Sequence, residues 1–401
     1  MRVLESYSHI KGFNHEPNFN TYTREIMEKE LGYAKRLGLN SCRLFMPMRY
    51  WQEDKEGFLK KLQAFVRTAY DKYGITTTPI LLMAYFTEDQ TPYWVSEEGE
   101  PEIPGCYYEE NYHIGEEFVT ATVTLLKDEP GLLFWDLQNE PSYHGFVINI
   151  KDEIEKQRRM DMVWRFVHHF LAFVRKLDPV NAIGIGHTLI EDTEYSKTGE
   201  LVDIIIFHDY LETRARVEAS CKRALELSKK YNKPVLNNEM ACLCRANPYD
   251  VSIEIHDKYN IGWYIFKLMI DINHWGTVHG ICYPDGTVRD PSIVAAVFGF
   301  FRNRGVGGDD IIYPEINREG FADKGIARVK EALDKKAPMA ELLEAAEVIV
   351  NLLEAGELVP MAYPPSAKLL AYRRQENPNE QEIREWAYSL VKTLQDVCQI
   401  I

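Results

Sequence analysis

The sequence predicts an α/β protein whose strands are covered by helices on both faces. Three observations lead there. Eight short β-rich runs alternate with helix-period segments up to about residue 303: SYSHIKGF near residue 10, NSCRLFM at 40–46, TTTPILLMAYF at 76–86, LLFWDLQNE at 132–140, AIGIGHT at 182–188, VDIIIFHDY at 202–210, PVLNNEMA at 234–241 and GWYIFKLM at 262–269. Several runs are near-continuously apolar instead of alternating, as parallel strands buried on both faces require. No GxGxxG or GxxxxGK[ST] follows any of them, which weakens a nucleotide-binding sheet. Eight strands with intervening helices suggest a (β/α)8 TIM barrel, and an open doubly wound sheet has the same alternation.

The intervening helices carry apolar stripes at 3.6 spacing. One is formed by Leu59, Leu62, Val66, Ala69 and Tyr73; a longer one by Met160, Val163, Trp164, Val167, Phe170, Leu171, Val174 and Leu177. Two connections are long: residues 87–112, with three prolines and several aromatics, and residues 141–156 after the fourth strand. Loops of that length after barrel strands build active-site walls. Beyond residue 310 the strand signal fades. Helical stripes replace it: Leu342, Leu343, Ala346, Ile349, Val350 and Leu353, then Ile383, Trp386, Leu390, Leu394, Val397 and Ile401, the latter opened by Pro378, Asn379 and Glu380. A catalytic barrel over residues 1–310 is therefore expected, with a C-terminal helical extension over 311–401 that packs on the barrel or on a partner subunit.

With 401 residues, 45% of them hydrophobic, the chain can bury a large core. Its formal charge, 46 − 61 = −15, opposes nucleic acid and anionic membrane surfaces. No run approaches the length of a membrane span, and the start, MRVLESYSHIKGFNH, lacks the apolar stretch of a secretory signal. The scattered cysteines Cys42, Cys106, Cys221, Cys242, Cys244, Cys282 and Cys398 form no pairing framework, so reduced thiols and a cytoplasmic location are expected.

Two glutamates each close an apolar run, where barrel strands deliver side chains to the catalytic face. Glu140 ends the fourth and Glu239 the seventh. In a closed eight-stranded barrel those strands lie nearly opposite, so the two carboxylates can converge on one bond. Such a pair serves β-glycoside hydrolysis, one carboxylic acid protonating the leaving oxygen while the other carboxylate attacks the anomeric carbon. At the roughly 5.5 Å separation of retaining enzymes, two carboxylates repel by about 3 kcal/mol, or roughly two pKa units. One of them therefore keeps its proton.

With these residues the chain resembles the clan A glycoside hydrolases, closest to the family 5 type, over residues 5–303. The resemblance rests on Asn139-Glu140-Pro141 ending the fourth strand, Glu239 ending the seventh, Arg43 on the second and His208-Asp209-Tyr210 on the sixth. It implies Glu140 as acid/base, Glu239 as nucleophile and Asn139 as the partner of the sugar 2-hydroxyl. It also implies that Tyr210 and Arg43 keep Glu239 ionised while His208 supports the acid/base or the bound sugar. Clan members usually present a strand-eight Trp as the floor of the sugar site. Here Trp263 comes early and Phe266 stands at the later position, so either is a candidate.

His15, His187, His144 and Trp94 are further candidates to line the site, and Trp51, Tyr93, Tyr107, Tyr108, Tyr143 and Trp275 could stack on sugar faces. Cys242-x-Cys244 has no second pair and no His-x-His closes the first strand, so neither metal nor other cofactor is expected. The implied activity is retaining hydrolysis of a soluble oligosaccharide or glycoside, with exo action preferred because the aromatic loops could block one end of the cleft. The alternative is a catalytically silent carbohydrate-binding protein on the same barrel. Association through the C-terminal helices would make either a homo-oligomer.

Overall fold

The computed structural model describes residues 3–83, 102–241, 249–270, 279–301, 327–354, 369, 372 and 379–398. Each of the eight expected runs contains or overlaps a strand: β1 Lys11–His15, which runs two residues past SYSHIKGF, β2 Ser41–Leu44, β3 Thr76–Leu82, β4 Trp135–Asn139, β5 Ile183–Gly186, β6 Ile205–Asp209, β7 Val235–Met240 and β8 Gly262–Ile265. All pair in parallel, in the order β5-β4-β3-β2-β1-β8-β7-β6. The two ends of that order meet through a parallel bridge between His187 and Phe207 and a His208 N–H bond to the His187 carbonyl at 2.8 Å. This is a (β/α)8 barrel, and the open-sheet alternative is excluded.

The helices between strands start and stop on local signals. Helix α1 (Arg24–Arg36) opens where the Thr23 hydroxyl accepts from Ile26 N–H, and basic Lys35 and Arg36 sit in its last turn. Helix α2 (Lys55–Tyr73) opens on Asp54, whose carboxylate accepts from Gly57 N–H, and stops at Gly74 with φ +64°. Helix α3 (Tyr112–Leu126) precedes β4. Helix α4 (Glu153–Leu177) is capped by Asp152, and α5 (Arg214–Tyr231) by Thr213. Helices α6 (Tyr249–Lys258) and α7 (Pro291–Val297) flank β8 in sequence. The expected stripes face inward: Leu62, Val66 and Ala69 of α2 and Val163, Val167, Phe170, Leu171 and Val174 of α4 are buried.

Strand alternation splits the barrel into two layers. Phe13, Cys42, Trp135, Leu137, Ile183, Trp263 and Ile265 face outward into the large core beneath the helices. Tyr7, Ile10, Phe134, Ala182, Ile204, Ile206, Leu236 and Tyr264 fill the interior. That interior is close-packed, and glycines make it so. A Cβ on Gly12 would lie 2.2 Å from the Tyr264 ring, and one on Gly184 2.3 Å from Ile206 Cδ1. Above this plug the interior side chains turn polar, and the site begins there.

Chain contacts divide the molecule into Met1–Arg302 and Asn303–Ile401. In the second unit α8 (Ala327–Asp334), α9 (Met339–Glu354) and α10 (Glu380–Cys398) share an apolar core that includes Val329, Leu342, Leu343, Ile383, Ala387 and Leu390. The α10 start is the expected one, Asn379 Oδ1 accepting from Gln381 N–H at 3.0 Å. Cys42, Cys106, Cys221 and Cys282 are buried, while Cys242 and Cys244 lie outside the described residues. Among the described residues no helix is long and apolar enough to cross a membrane.

Substituting Gly12 by alanine is expected to destabilise the barrel by about 1–3 kcal/mol through overpacking against Tyr264. A urea midpoint equal to that of the unsubstituted protein would contradict this reading of the interior.

Candidate active site

The polar layer at the carboxyl ends of the strands is organised around Arg43 on β2, which is fully buried. Its Nε donates to Asp136 Oδ2 at 2.7 Å, Nη1 to Asn14 Oδ1 at 3.0 Å and to Glu239 Oε2 at 2.6 Å, and Nη2 to Asn139 Oδ1 at 2.8 Å. One guanidinium thus joins β1, β2, β4 and β7. Burial acts to lower its pKa, but the Asp136 and Glu239 charges outweigh this and hold it above the ordinary value. Asp136 also accepts from Asn238 Nδ2 at 2.8 Å and from Gly186 N–H at 3.0 Å. Position 186 must be glycine for this to fit, since a Cβ there would lie 2.7 Å from Arg43 Nη2 and 2.9 Å from His208 Nε2.

Glu239 receives a second donor, the Tyr210 hydroxyl at 2.7 Å from Oε1. His208, buried between the two glutamates, places Nδ1 2.8 Å from Glu140 Oε1 and 3.7 Å from Glu239 Oε2. Glu140, His208 and Glu239 each bring one of these polar atoms within 4.8 Å of the others. Burial pushes the His208 pKa down to about 4, so the imidazole is neutral at pH 7. Burial first, and then the Glu140 charge, push the Glu239 carboxyl up; a charged His208, Arg43 and Tyr210 act the other way.

Backbone irregularity aims both glutamates. Along β4 and β5, Asp136 pairs with Gly184 but Asn139 pairs with Gly186, so β4 carries one extra residue. Along β6 and β7, Asn237 pairs with Phe207 but Glu239 pairs with His208, so β7 carries another. An extra residue reverses the alternation beyond it. In β7, Asn238 and Glu239 both face inward, whereas strict alternation from Leu236 would have sent Glu239 outward. Glu140 follows its bulge with φ +43°, a left-handed conformation that costs a non-glycine residue about 1–3 kcal/mol.

Arg43, Asn139, Glu140, His208, Tyr210 and Glu239 therefore come together in one cluster. Phe266 reaches the same mouth, edge-on to Phe45 at 6.0 Å and packed in a small apolar group with Ile80 and Tyr210. Trp263 does not. It is fully buried on the outside of the barrel, its indole N–H donating to Asp257 Oδ1 at 2.9 Å. Gly262 and Tyr264 on either side face inward, so position 263 is obliged to face the helices.

His15 is likewise turned outward, 2.8 Å from the Tyr22 hydroxyl and stacked on Phe65. His187 meets Thr198 Oγ1 at 2.9 Å and the Trp164 ring of α4, because its neighbour Gly186 takes the inward position. His144 is buried against Phe146 and Tyr107. Trp51 and Tyr107 are buried and present no face to a ligand, while Tyr108 and Tyr143 are exposed. Tyr93, Trp94 and Trp275 lie outside the described residues.

The sequence reading missed Asp136, Asn14, Asn238 and Gly186. The signal for Asp136 was a charged residue inside the apolar run FWDL, on the same face as Phe134.

Among the described residues, two groups of side chains bring three metal-ligating atoms together. At Glu140, His208 and Glu239 an ion would sit beside the Arg43 guanidinium, whose charge opposes it. At Asp209, Cys221 and His256, the other such group among the described residues, both His256 nitrogens are engaged, by Asn237 Nδ2 and the Ser252 carbonyl, and burial pushes the Cys221 thiol far up. Neither donor set suits a cation.

The eight-stranded barrel is an architecture shared with solved structures of glycoside hydrolases. An endo-1,4-β-D-mannanase from Thermotoga petrophila RKU-1 superposes with a TM-score of 0.51 at 14% identity, over 73% of this chain and 99% of that one. An exo-β-1,4-mannosidase from Opitutaceae bacterium strain TAV5 gives 0.55 at 14% identity, over 75% of this chain and 63% of that one. An endo-1,4-β-mannanase from Rhizomucor miehei gives 0.52 at 15% identity, over 72% and 92%. Likeness at this level of identity establishes the fold. No protein-family model and no curated protein sequence matches the chain.

Substituting Asp136 by alanine leaves Arg43 with one charged partner. Breaking a buried pair in this way is expected to cost about 3–5 kcal/mol, read as a lower denaturant midpoint. An unchanged midpoint would contradict the role of Asp136 as counter-charge.

Proposed function

We propose that the protein is a retaining β-glycoside hydrolase in which Glu239 is the nucleophile and Glu140 the acid/base. The observation that carries this is the unequal environment of two carboxyl groups whose oxygens approach within 4.8 Å. Retaining glycosidases hold theirs about 5–5.5 Å apart, and inverting ones about 6.5–9.5 Å. At that distance two negative charges repel by about 3 kcal/mol at an effective dielectric near 20, so the pair titrates as a unit and shares one proton near neutrality. Arg43 and Tyr210 both donate to Glu239, the first of them a permanent cation, and the neutral imidazole of His208 lies against Glu140. The negative charge is therefore best held on Glu239 and the proton on Glu140.

In the first step a Glu239 oxygen forms a bond to the anomeric carbon as the bond to the leaving oxygen breaks, and the Glu140 proton passes to that oxygen. The ester leaves Glu239 uncharged, which removes the repulsion and makes Glu140 a base. In the second step Glu140 takes a proton from water, the water oxygen bonds to the anomeric carbon and the ester breaks. Arg43 fixes the Asn139 amide with its oxygen inward, and we assign its nitrogen to the sugar 2-hydroxyl. Phe266, with Phe45, is the apolar wall of the same pocket. We take the substrate to be a soluble β-linked oligosaccharide or glycoside cleaved from its end.

A panel of nitrophenyl β-glycosides, with galactoside, glucoside, mannoside and xyloside, tests the reading. In the responding sugar, Glu239→Ala is expected to abolish turnover, and azide is then expected to yield the α-glycosyl azide. Full turnover in that variant would remove the nucleophile assignment. Glu140→Ala is expected to lose far more on poor leaving groups than on activated ones, and equal losses would remove the acid role.

The pH profile has a definite sign. Glu239 must be ionised, and its carboxyl is pushed above its ordinary 4.5, so kcat/KM is expected to fall on the acid side already above pH 4.5. The alkaline limb reports the Glu140 proton and is expected to vanish in Glu140→Gln on an activated substrate. Its persistence would assign that limb to another group.

A further inference from the structure

We propose that Asn237 and His256, on the outer face of β7, are positioning residues that hold the β7 bulge and thereby set the aim of Glu239. The proposal rests on Glu239 being the nucleophile. The bulge turns Glu239 into the barrel, but a bulge interrupts the strand ladder and leaves backbone groups to be satisfied by other partners. The Glu239 N–H is satisfied by a side chain, donating to Asn237 Oδ1 at 3.0 Å. With its oxygen so engaged, the Asn237 amide directs Nδ2 outward to His256 Nε2 on α6, at 2.9 Å.

The histidine is fixed in turn. Its Nδ1 lies 2.7 Å from the Ser252 carbonyl one helical turn earlier. A carbonyl only accepts, so Nδ1 carries the proton and Nε2 presents its lone pair to Asn237. Asn237, Ser252 and His256 are all fully buried, and burial keeps the imidazole neutral, with its pKa pushed down to about 4. A continuous line of hydrogen bonds thus runs from the backbone of α6 to the peptide nitrogen of Glu239.

Neither residue faces the substrate side. Asn237 points away from Arg43, and His256 lies on a helix outside the strands. Their influence on turnover would pass through the backbone of the nucleophile, where a misplacement of about 1 Å lowers rate roughly 100-fold.

The experiment compares kcat and KM for Asn237→Ala, which removes the acceptor, and Asn237→Ser, whose hydroxyl can accept from the N–H two residues on, more weakly than Asn. The substrate is the nitrophenyl β-glycoside turned over fastest in the panel. For Asn237→Ala, kcat is expected to fall about 100-fold with KM within threefold, and Asn237→Ser is expected to recover about tenfold of the loss. Val251→Ala, on the same helix and buried in its core, controls for stability and is expected to keep kcat at a comparable loss of Tm.

The proposal is overturned if Asn237→Ala keeps its turnover, if Val251→Ala matched in Tm loses as much, or if Asn237→Ser recovers nothing. Should Asn237→Ala fail to fold, Asn237→Ser decides alone. A kcat about tenfold below that of the unsubstituted protein supports the proposal, and an undiminished kcat overturns it. Glu239→Ala, measured alongside, separates the two claims. An active Glu239→Ala removes the nucleophile reading and this one with it; an inactive Glu239→Ala beside a fully active Asn237→Ala removes the positioning role only.

Discussion

A single buried guanidinium governs the mouth of this barrel. Arg43 has no access to water, so its charge and its donors must be matched from within the protein. The matching groups come from three other strands: Asn14 on β1, Asp136 with Asn139 on β4, and Glu239 on β7. Each partner is constrained by another. Asp136 is tied to Asn238 and to the Gly186 peptide, and Asn14 donates to the carbonyls of Asn238 and Ile265. Removing any one of them strands a polar group in a space too tight for rearrangement, as the approach to Gly186 makes plain.

This network sits on an apolar plug and inherits its rigidity. The lower interior is filled by Phe134, Ile204, Ile206, Leu236 and Tyr264, with Gly12 and Gly184 admitting their bulk. A one-residue step in each of β4 and β7 then turns Asn139 and Glu239 to the inner side, beside Glu140 with its positive φ and Asn238. The cluster gathers three carboxyl groups around one permanent cation, with His208 neutral. On the proposed reading, that imbalance leaves one carboxyl protonated beside an ionised partner, the condition two-step glycoside cleavage needs.

Much of this was legible in the sequence. Eight apolar runs of strand length and their intervening stripes predict parallel strands covered on both faces, an imprint that a closed barrel and an open doubly wound sheet share. The glutamates stood out by position, each closing such a run. The directions of individual side chains were harder to read. His15 and His187 lie at strand ends, and only the inward claims of Asn14 and Gly186 show that they must face the helices. Trp263 fails as a sugar floor for the same reason, its neighbours Gly262 and Tyr264 having taken the interior. A bulge leaves no mark in composition, so strict alternation would have misdirected Glu239. Asp136 was passed over as part of an apolar run, although a carboxylate at an inward position calls for a buried cation.

The central claim, that Glu239 bonds to the sugar, is tested most directly by covalent trapping. The protein would be treated with a 2-deoxy-2-fluoro β-glycoside of the responding sugar bearing a good leaving group, then digested and its peptides weighed. The account expects one fluorosugar on the peptide containing PVLNNEMA, with fragmentation placing it on Glu239. A sugar esterified to Glu140 or to any other residue would contradict it.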